Sequence, residues 1–157
     1  MYDPYARVEG EVLGVSAMGN RQWATGNSIV VLKSIDMAAA NVKETKAYKL
    51  AFELAMEIFE TSRSFPKEET YSLTDQIRRS SRSVCICLLE AYRKKRYPAH
   101  FVSKITDSDM ENSETSGWLD FALACKYINQ QVHDKLNSKN QEIGKPLHHM
   151  INNPEKY

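Results

Sequence analysis

The chain has 157 residues, 42% hydrophobic and 26% charged, which excludes a disordered chain and gives one domain enough length to bury a core without disulfides or metal. Net charge is +1, so the total points to no charged partner. No apolar run approaches the roughly 20 residues that cross a bilayer, and the opening Met-Tyr-Asp-Pro-Tyr lacks the basic and apolar regions of a signal peptide. The expectation is a cytoplasmic protein with no membrane contact.

Residues 1–44 differ in character from the rest. Four of the six glycines fall here, at Gly10, Gly14, Gly19 and Gly26. The one continuous apolar run, Ile29 to Leu32, reads as a short strand with nothing to pair with. The segment reads as a flexible N-terminal extension, or one that packs loosely on the bundle or a neighbouring subunit. Met37 opens Met-Ala-Ala-Ala-Asn just before the helical region, which is the pattern of an alternative start.

Residues 45–157 read as an all-α, antiparallel up-down-up-down four-helix bundle. A first helix is expected from about Thr45 to Arg63, because Ala47, Leu50, Ala51, Leu54, Ile58 and Phe59 recur at helical spacing. Thr45 suits its N-cap, and Ser64-Phe65-Pro66 ends it, since a residue before proline avoids helical angles. A second helix begins near Ser72, with Ser72 and Asp75 at capping-box spacing. Leu73, Ile77, Val84, Leu88 and Ala91 mark its buried stripe, and it ends around Arg93 to Arg96. A third starts at Tyr97-Pro98, where proline suits the first turn, and runs to about Tyr127. Its core candidates are Phe101, Ile105, Leu119, Ala122 and Leu123. Its middle, Thr106 to Ser116, is polar, and Gly117 weakens it. A fourth covers about Asn129 to Asn152, with Val132, Leu136, Ile143, Leu147 and Met150 on one face. Gly144-Lys145-Pro146 could kink or split it. Short links favour antiparallel neighbours.

Charge is segregated along the chain. Arg78, Arg79, Arg82, Arg93, Lys94, Lys95, Arg96 and Lys104 face only Glu90 in their stretch, and then Asp107, Asp109, Glu111, Glu114 and Asp120 follow with no Lys or Arg among them. One reading is phosphate binding, since Lys and Arg neutralise phosphates without reading sequence. Tyr92 and Tyr97 flank the basic turn and could stack on unpaired bases. The other is that the basic run of one subunit docks on the acidic run of the next, a head-to-tail contact that closes into a ring. Solvated ion pairs of about 0–1 kcal/mol each are the bland alternative.

Site chemistry is otherwise sparse. A di-iron bundle needs Glu-x-x-His on two helices, and no glutamate here has histidine three residues later. His148 and His149 are adjacent, so their side chains diverge on a helix and pair poorly on a metal. His100 and His133 add no pattern. Cys85, Cys87 and Cys125 lack zinc spacing and read as reduced, mostly buried thiols. The acidic group of the third helix reads more simply as an interface than as a cation site. Ser80, Ser81 and Ser83 have no base placed by sequence and suit close helix packing instead. Walker, Gly-x-Gly-x-x-Gly and His-Glu-x-x-His motifs are absent. The expectation is a protein without enzymatic activity, cofactor or metal.

Two blocks carry a family resemblance. The first is Phe65-Pro66-Lys67-Glu68-Glu69-Thr70-Tyr71-Ser72-Leu73-Thr74-Asp75-Gln76-Ile77-Arg78-Arg79-Ser80-Ser81. The second is Ala91-Tyr92-Arg93-Lys94-Lys95-Arg96-Tyr97-Pro98-Ala99-His100-Phe101, followed by Glu111-Asn112-Ser113-Glu114-Thr115 and Trp118-Leu119-Asp120-Phe121-Ala122. In this order they resemble the four-helix-bundle family named for proteins encoded in intervening sequences of bacterial 23S rRNA genes, over about Thr45 to Ile151. Cys85-Ile86-Cys87-Leu88-Leu89-Glu90 departs from the usual stretch with Asn-Ile-Ala-Glu. The resemblance implies a bundle that assembles into a homo-oligomeric ring, commonly a pentamer. It also implies similarity to the accessory variability determinant of diversity-generating retroelements, which is basic, binds nucleic acid and partners a reverse transcriptase. Arg78 and Arg79 match the family's paired arginines, and either touch RNA or lie buried in ion pairs with Glu53, Glu57 or Glu114. The expected nucleic-acid contacts are Arg93, Lys94, Lys95 and Arg96, followed by Arg78, Arg79 and Arg82; the alternative is an interaction scaffold.

Overall fold

Apolar stripes at three- and four-residue spacing give this chain four long helices. The computed structural model describes residues 42–157. Helix α1 spans Lys46–Thr61, α2 Leu73–Arg93, α3 Pro98–Ala124 and α4 Gln130–Asn152. Among the described residues there is no strand. The expected strand at Ile29–Leu32 and most of the N-terminal extension lie outside them, as does Met37. Each helix packs on its sequence neighbours, and α4 returns onto α1. Short connections make these neighbours antiparallel. The core runs through Leu54 and Ile58 of α1, Ile77 and Leu88 of α2, Phe101 and Leu119 of α3, and Leu136 and Leu147 of α4. Each such side chain contributes about 1.5–3 kcal/mol by leaving water. No helix among the described residues is long and apolar enough to cross a membrane.

The helix ends follow local chemistry, with one departure from expectation. Thr45 caps α1, its Oγ1 accepting from Tyr48 N at 3.3 Å. Asn129 caps α4 in the same way, accepting from Val132 N at 2.9 Å. Phe65 is extended before Pro66 and stops the turn that follows α1. Ser72, however, makes no side-chain cap to α2. Glu69 takes that role: one of its carboxylate oxygens accepts from Leu73 N at 3.2 Å and from the Ser72 hydroxyl, and the other from Tyr127 Oη at 3.0 Å. Ser72 N, the amide that a capping-box Asp75 would receive, already bonds to Glu69 O at 3.1 Å, and Asp75 stays exposed. Helix α3 ends three residues earlier than expected. Lys126 adopts a left-handed φ of 62°, and Tyr127 N and Lys126 N turn back to Ala122 O and Leu123 O, both at 2.9 Å. That is the Schellman pattern with lysine where glycine is commonest.

The polar middle of α3 does not interrupt it, and neither does Gly117. Phe101, Ile105, Ser108, Asn112, Thr115, Leu119 and Ala122 form one buried stripe alternating four and three residues apart. Ser108 donates to Val84 O at 2.9 Å, and Thr115 donates to Ser80 Oγ at 2.9 Å. Asn112 and Asn140 exchange amide-to-carbonyl bonds of 3.0 and 2.9 Å between α3 and α4. The small residues Ser80 and Ser81 are buried, so α2 approaches α3 closely there, as expected. Helix α4 continues through Pro146 as one element rather than two.

Candidate nucleic-acid interface

The fold divides the seven proposed contact residues into two groups along α2. Arg82 and Arg93 are eleven residues apart, about 16 Å along a helix at 1.5 Å per residue. The first group is built against α1. Arg78 is half-buried, its Nε donating to Ser62 Oγ at 2.7 Å while its guanidinium sits 4.9 Å from the centre of the Phe59 ring. Arg82, one turn on, stands 5.5 Å from the same ring. One aromatic ring thus meets two cations, each gaining about 0.5–1 kcal/mol. With Arg79 and Tyr71 they line a groove of about 540 Å³, which also includes Asp75. Arg79 is exposed, and its charge reaches Glu111 on α3. Burial and then Glu114 push that carboxyl up, against the pull of Arg79, and Asp107 pushes it further.

The second group is the α2–α3 turn. Lys94 N bonds back to Ala91 O at 2.9 Å and Tyr97 N to Lys94 O at 2.8 Å. This tight reversal leaves Arg93, Lys94, Lys95 and Arg96 all exposed. Tyr92 turns inward instead: it is 8% exposed and meets Phe101 edge-on at 6.0 Å. It cannot stack on a base, contrary to the sequence expectation, because it fills the core below the turn. Tyr97 is 59% exposed and keeps that capacity. Tyr71, 94% exposed beside the arginines, was given no role from sequence. An aromatic residue in a polar turn, off every apolar stripe, was the available signal.

None of the seven has a carboxylate within ion-pair distance among the described residues, whereas most neighbouring charges are committed. Lys104 leaves the basic group: it binds Glu90 at 2.8 Å and Asp107 at 3.1 Å, and those hydrogen bonds hold its ammonium well above the usual lysine range. Asp109 pairs with His148, Asp120 with His133, and Glu114 accepts from Trp118 Nε1. The alternative of Arg78 paired with Glu53, Glu57 or Glu114 is therefore corrected. Glu53 and Glu57 are held by Lys139, and Lys135 also reaches Glu57.

The remaining reactive groups are dispersed. Cys85 is buried and its thiol is pushed up to about 12 by that burial. Burial also raises Cys87. Cys125 is exposed at the end of α3, so the expectation of buried thiols fails there. It lies one residue before the left-handed turn, where the helix face that would have buried it has ended. His149 contacts Tyr157 while His148 contacts Asp109, so the adjacent pair serves two directions. Among the described residues no group of three or more His, Cys, Asp and Glu could hold a metal ion.

Comparison with known proteins bears on this arrangement. A solved structure from Bacteroides thetaiotaomicron, described as a protein of unknown function from the S23 ribosomal protein family, shares the bundle with a TM-score of 0.62. It is 25% identical, and the alignment covers 68% of this chain and 95% of that one. None of the curated proteins matches. Residues 43–149, which include all four helices up to the last turn of α4, match the family described as 23S rRNA-intervening sequence protein, and the chain belongs to that family.

Proposed function

We propose that this protein binds RNA through its two basic groups, on α2 and in the α2–α3 turn, as a homo-oligomeric, non-enzymatic accessory factor. One observation supports this most directly: seven cationic side chains lack carboxylate partners among the described residues, while the acids that follow them are mostly engaged within the same bundle. Self-neutralisation within the bundle would have paired these residues, whereas Asp107, Asp109 and Asp120 take Lys104, His148 and His133 instead. Unpaired lysine and arginine on a helix and turn suit phosphates, where each contact releases a counterion. Tyr71 and Tyr97, exposed beside the two groups, add stacking surfaces for unpaired bases. The family's description by 23S rRNA intervening sequences makes RNA the first ligand to test. A ring, commonly a pentamer by family resemblance, would multiply the basic surface through avidity. A reverse transcriptase is the protein partner that the same resemblance implies.

The test is light scattering of the full chain with and without a structured RNA, at low and high salt. The expected result is a defined oligomer that gains RNA mass at low salt and loses it at high salt. An oligomer indifferent to RNA at every salt would overturn the reading and return the basic turn to a protein interface.

A further inference from the structure

The groove beside the α2 arginines holds two groups that phosphate binding does not use. Asp75 lines it together with Arg78, Arg79 and Arg82. It is exposed and pairs with none of them, nor with any other cation among the described residues. A bare carboxylate repels phosphate and accepts from donors, so a polyanion alone does not account for it. Thr74 is the second group. It is 7% exposed and lines the same groove, and its Oγ1 has no hydrogen-bond partner among the described residues. A buried hydroxyl left unpaired is costly, and a polar ligand in the groove would relieve it.

We propose that this groove takes one unpaired guanine of a single-stranded RNA; the assignment rests on the proposed RNA binding and gives it a base preference. Tyr71, which lines the groove and is 94% exposed, supplies the stacking face. Asp75 reads the Watson–Crick edge, the edge an unstacked base leaves open. Guanine presents two parallel donors there, N1–H and the N2 amino group, which match the two oxygens of a carboxylate. Adenine and cytosine offer one amino group beside an acceptor, and uracil one N–H between two carbonyls. Each of these sets an acceptor against the carboxylate. The arginines take the phosphates. Arg78 donates only Nε within the bundle, to Ser62, which leaves its terminal nitrogens for a bidentate contact. Arg82 lies seven positions beyond Asp75, about 10.5 Å along a helix at 1.5 Å per residue, which places a cation one nucleotide's reach from the base edge. The groove volume of about 540 Å³ is that of a small-ligand site. The cations of the α2–α3 turn meet phosphates of every sequence alike, so the preference belongs to the groove.

Fluorescence anisotropy of labelled single-stranded pentanucleotides on the full chain at low salt tests this. The central base is guanine, adenine, cytosine or uracil, flanked by uridines. The guanine oligomer should bind about tenfold more tightly than the all-uridine one, within the discrimination of a bidentate base contact. Asp75→Ala should erase that preference and leave the all-uridine affinity no weaker. Equal affinity for all four oligomers in the wild type would overturn the guanine assignment while leaving phosphate binding standing. A preference that survives Asp75→Ala would overturn it too, since the base would then be read elsewhere. Free guanosine 5′-monophosphate should compete only at far higher concentration than the guanine pentanucleotide; equal potency would make the ligand a free nucleotide instead of RNA. Failure of all four oligomers to bind would overturn the RNA reading itself, and this assignment with it.

Discussion

Single side chains decide what is available for binding. Ser62 and the Phe59 ring hold the Arg78 guanidinium in place, and Arg82 shares that ring. His133 shows the opposite use of charge. It is buried between α3 and α4, with Nε2 2.8 Å from Asp120 and Nδ1 3.1 Å from Asp134. These two hydrogen bonds raise its pKa above the ordinary imidazole value, Asp120 first. Because the folded value is raised, the stabilisation is fully present below the unfolded value of about 6.5 and is lost as pH rises through the folded value. Both carboxylates are exposed, so the effect should be on the order of 1 kcal/mol. Urea unfolding should show wild type more stable than His133→Gln in mildly acid buffer, with the difference shrinking in mildly alkaline buffer. A difference independent of pH would exclude the ion-pair origin.

At the scale of elements, the helices were legible in the sequence and the seam between them was not. The stripes of α1, α2 and α4 carry enough aliphatic residues at helical spacing to be read, and Thr45, Pro98 and Asn129 mark starts by known capping chemistry. The interior of α3 was obscured because Ser108, Asn112 and Thr115 are polar residue types, and only partners on other helices make their burial tolerable. Those partners lie 24 to 35 positions away, beyond any local pattern. Ser72 is the N-cap of α2 as expected, but its capping partner was missed for a related reason, since Glu69 reaches the first amide from outside the helix. The two basic groups were visible as composition. Their separation required the helix, and the inward turn of Tyr92 required the core. The Asn112–Asn140 exchange should be a strong local link. Asn112→Ala removes the bond from Asn112 Nδ2 to the Asn140 carbonyl but keeps the Asn112 carbonyl on which Asn140 Nδ2 rests, at a cost of about 0.5–1.5 kcal/mol. A lowered urea midpoint with an unchanged slope is the expected reading, and an unchanged midpoint would mean that the pair contributes nothing net.

At the scale of the whole molecule, a near-neutral chain gathers unpaired cations on α2 and the turn after it, while several of its acids are engaged with α4. Glu53 and Glu57 bind lysines of α4, while Asp109 and Asp120 bind histidines of α4. These contacts join α1 and α3 to α4 and leave α2 with its cations. The net charge of +1 therefore understates what a polyanion would meet. The most direct measurement is RNA affinity against salt, by fluorescence anisotropy on a single-stranded RNA, for wild type and for Arg93→Ala/Lys94→Ala/Lys95→Ala/Arg96→Ala. Each phosphate contact on a single strand contributes about 0.7 to the log–log slope, so the variant should bind more weakly with a slope shallower by about 3. Equal affinity and equal slope in the two proteins would contradict phosphate binding at the turn.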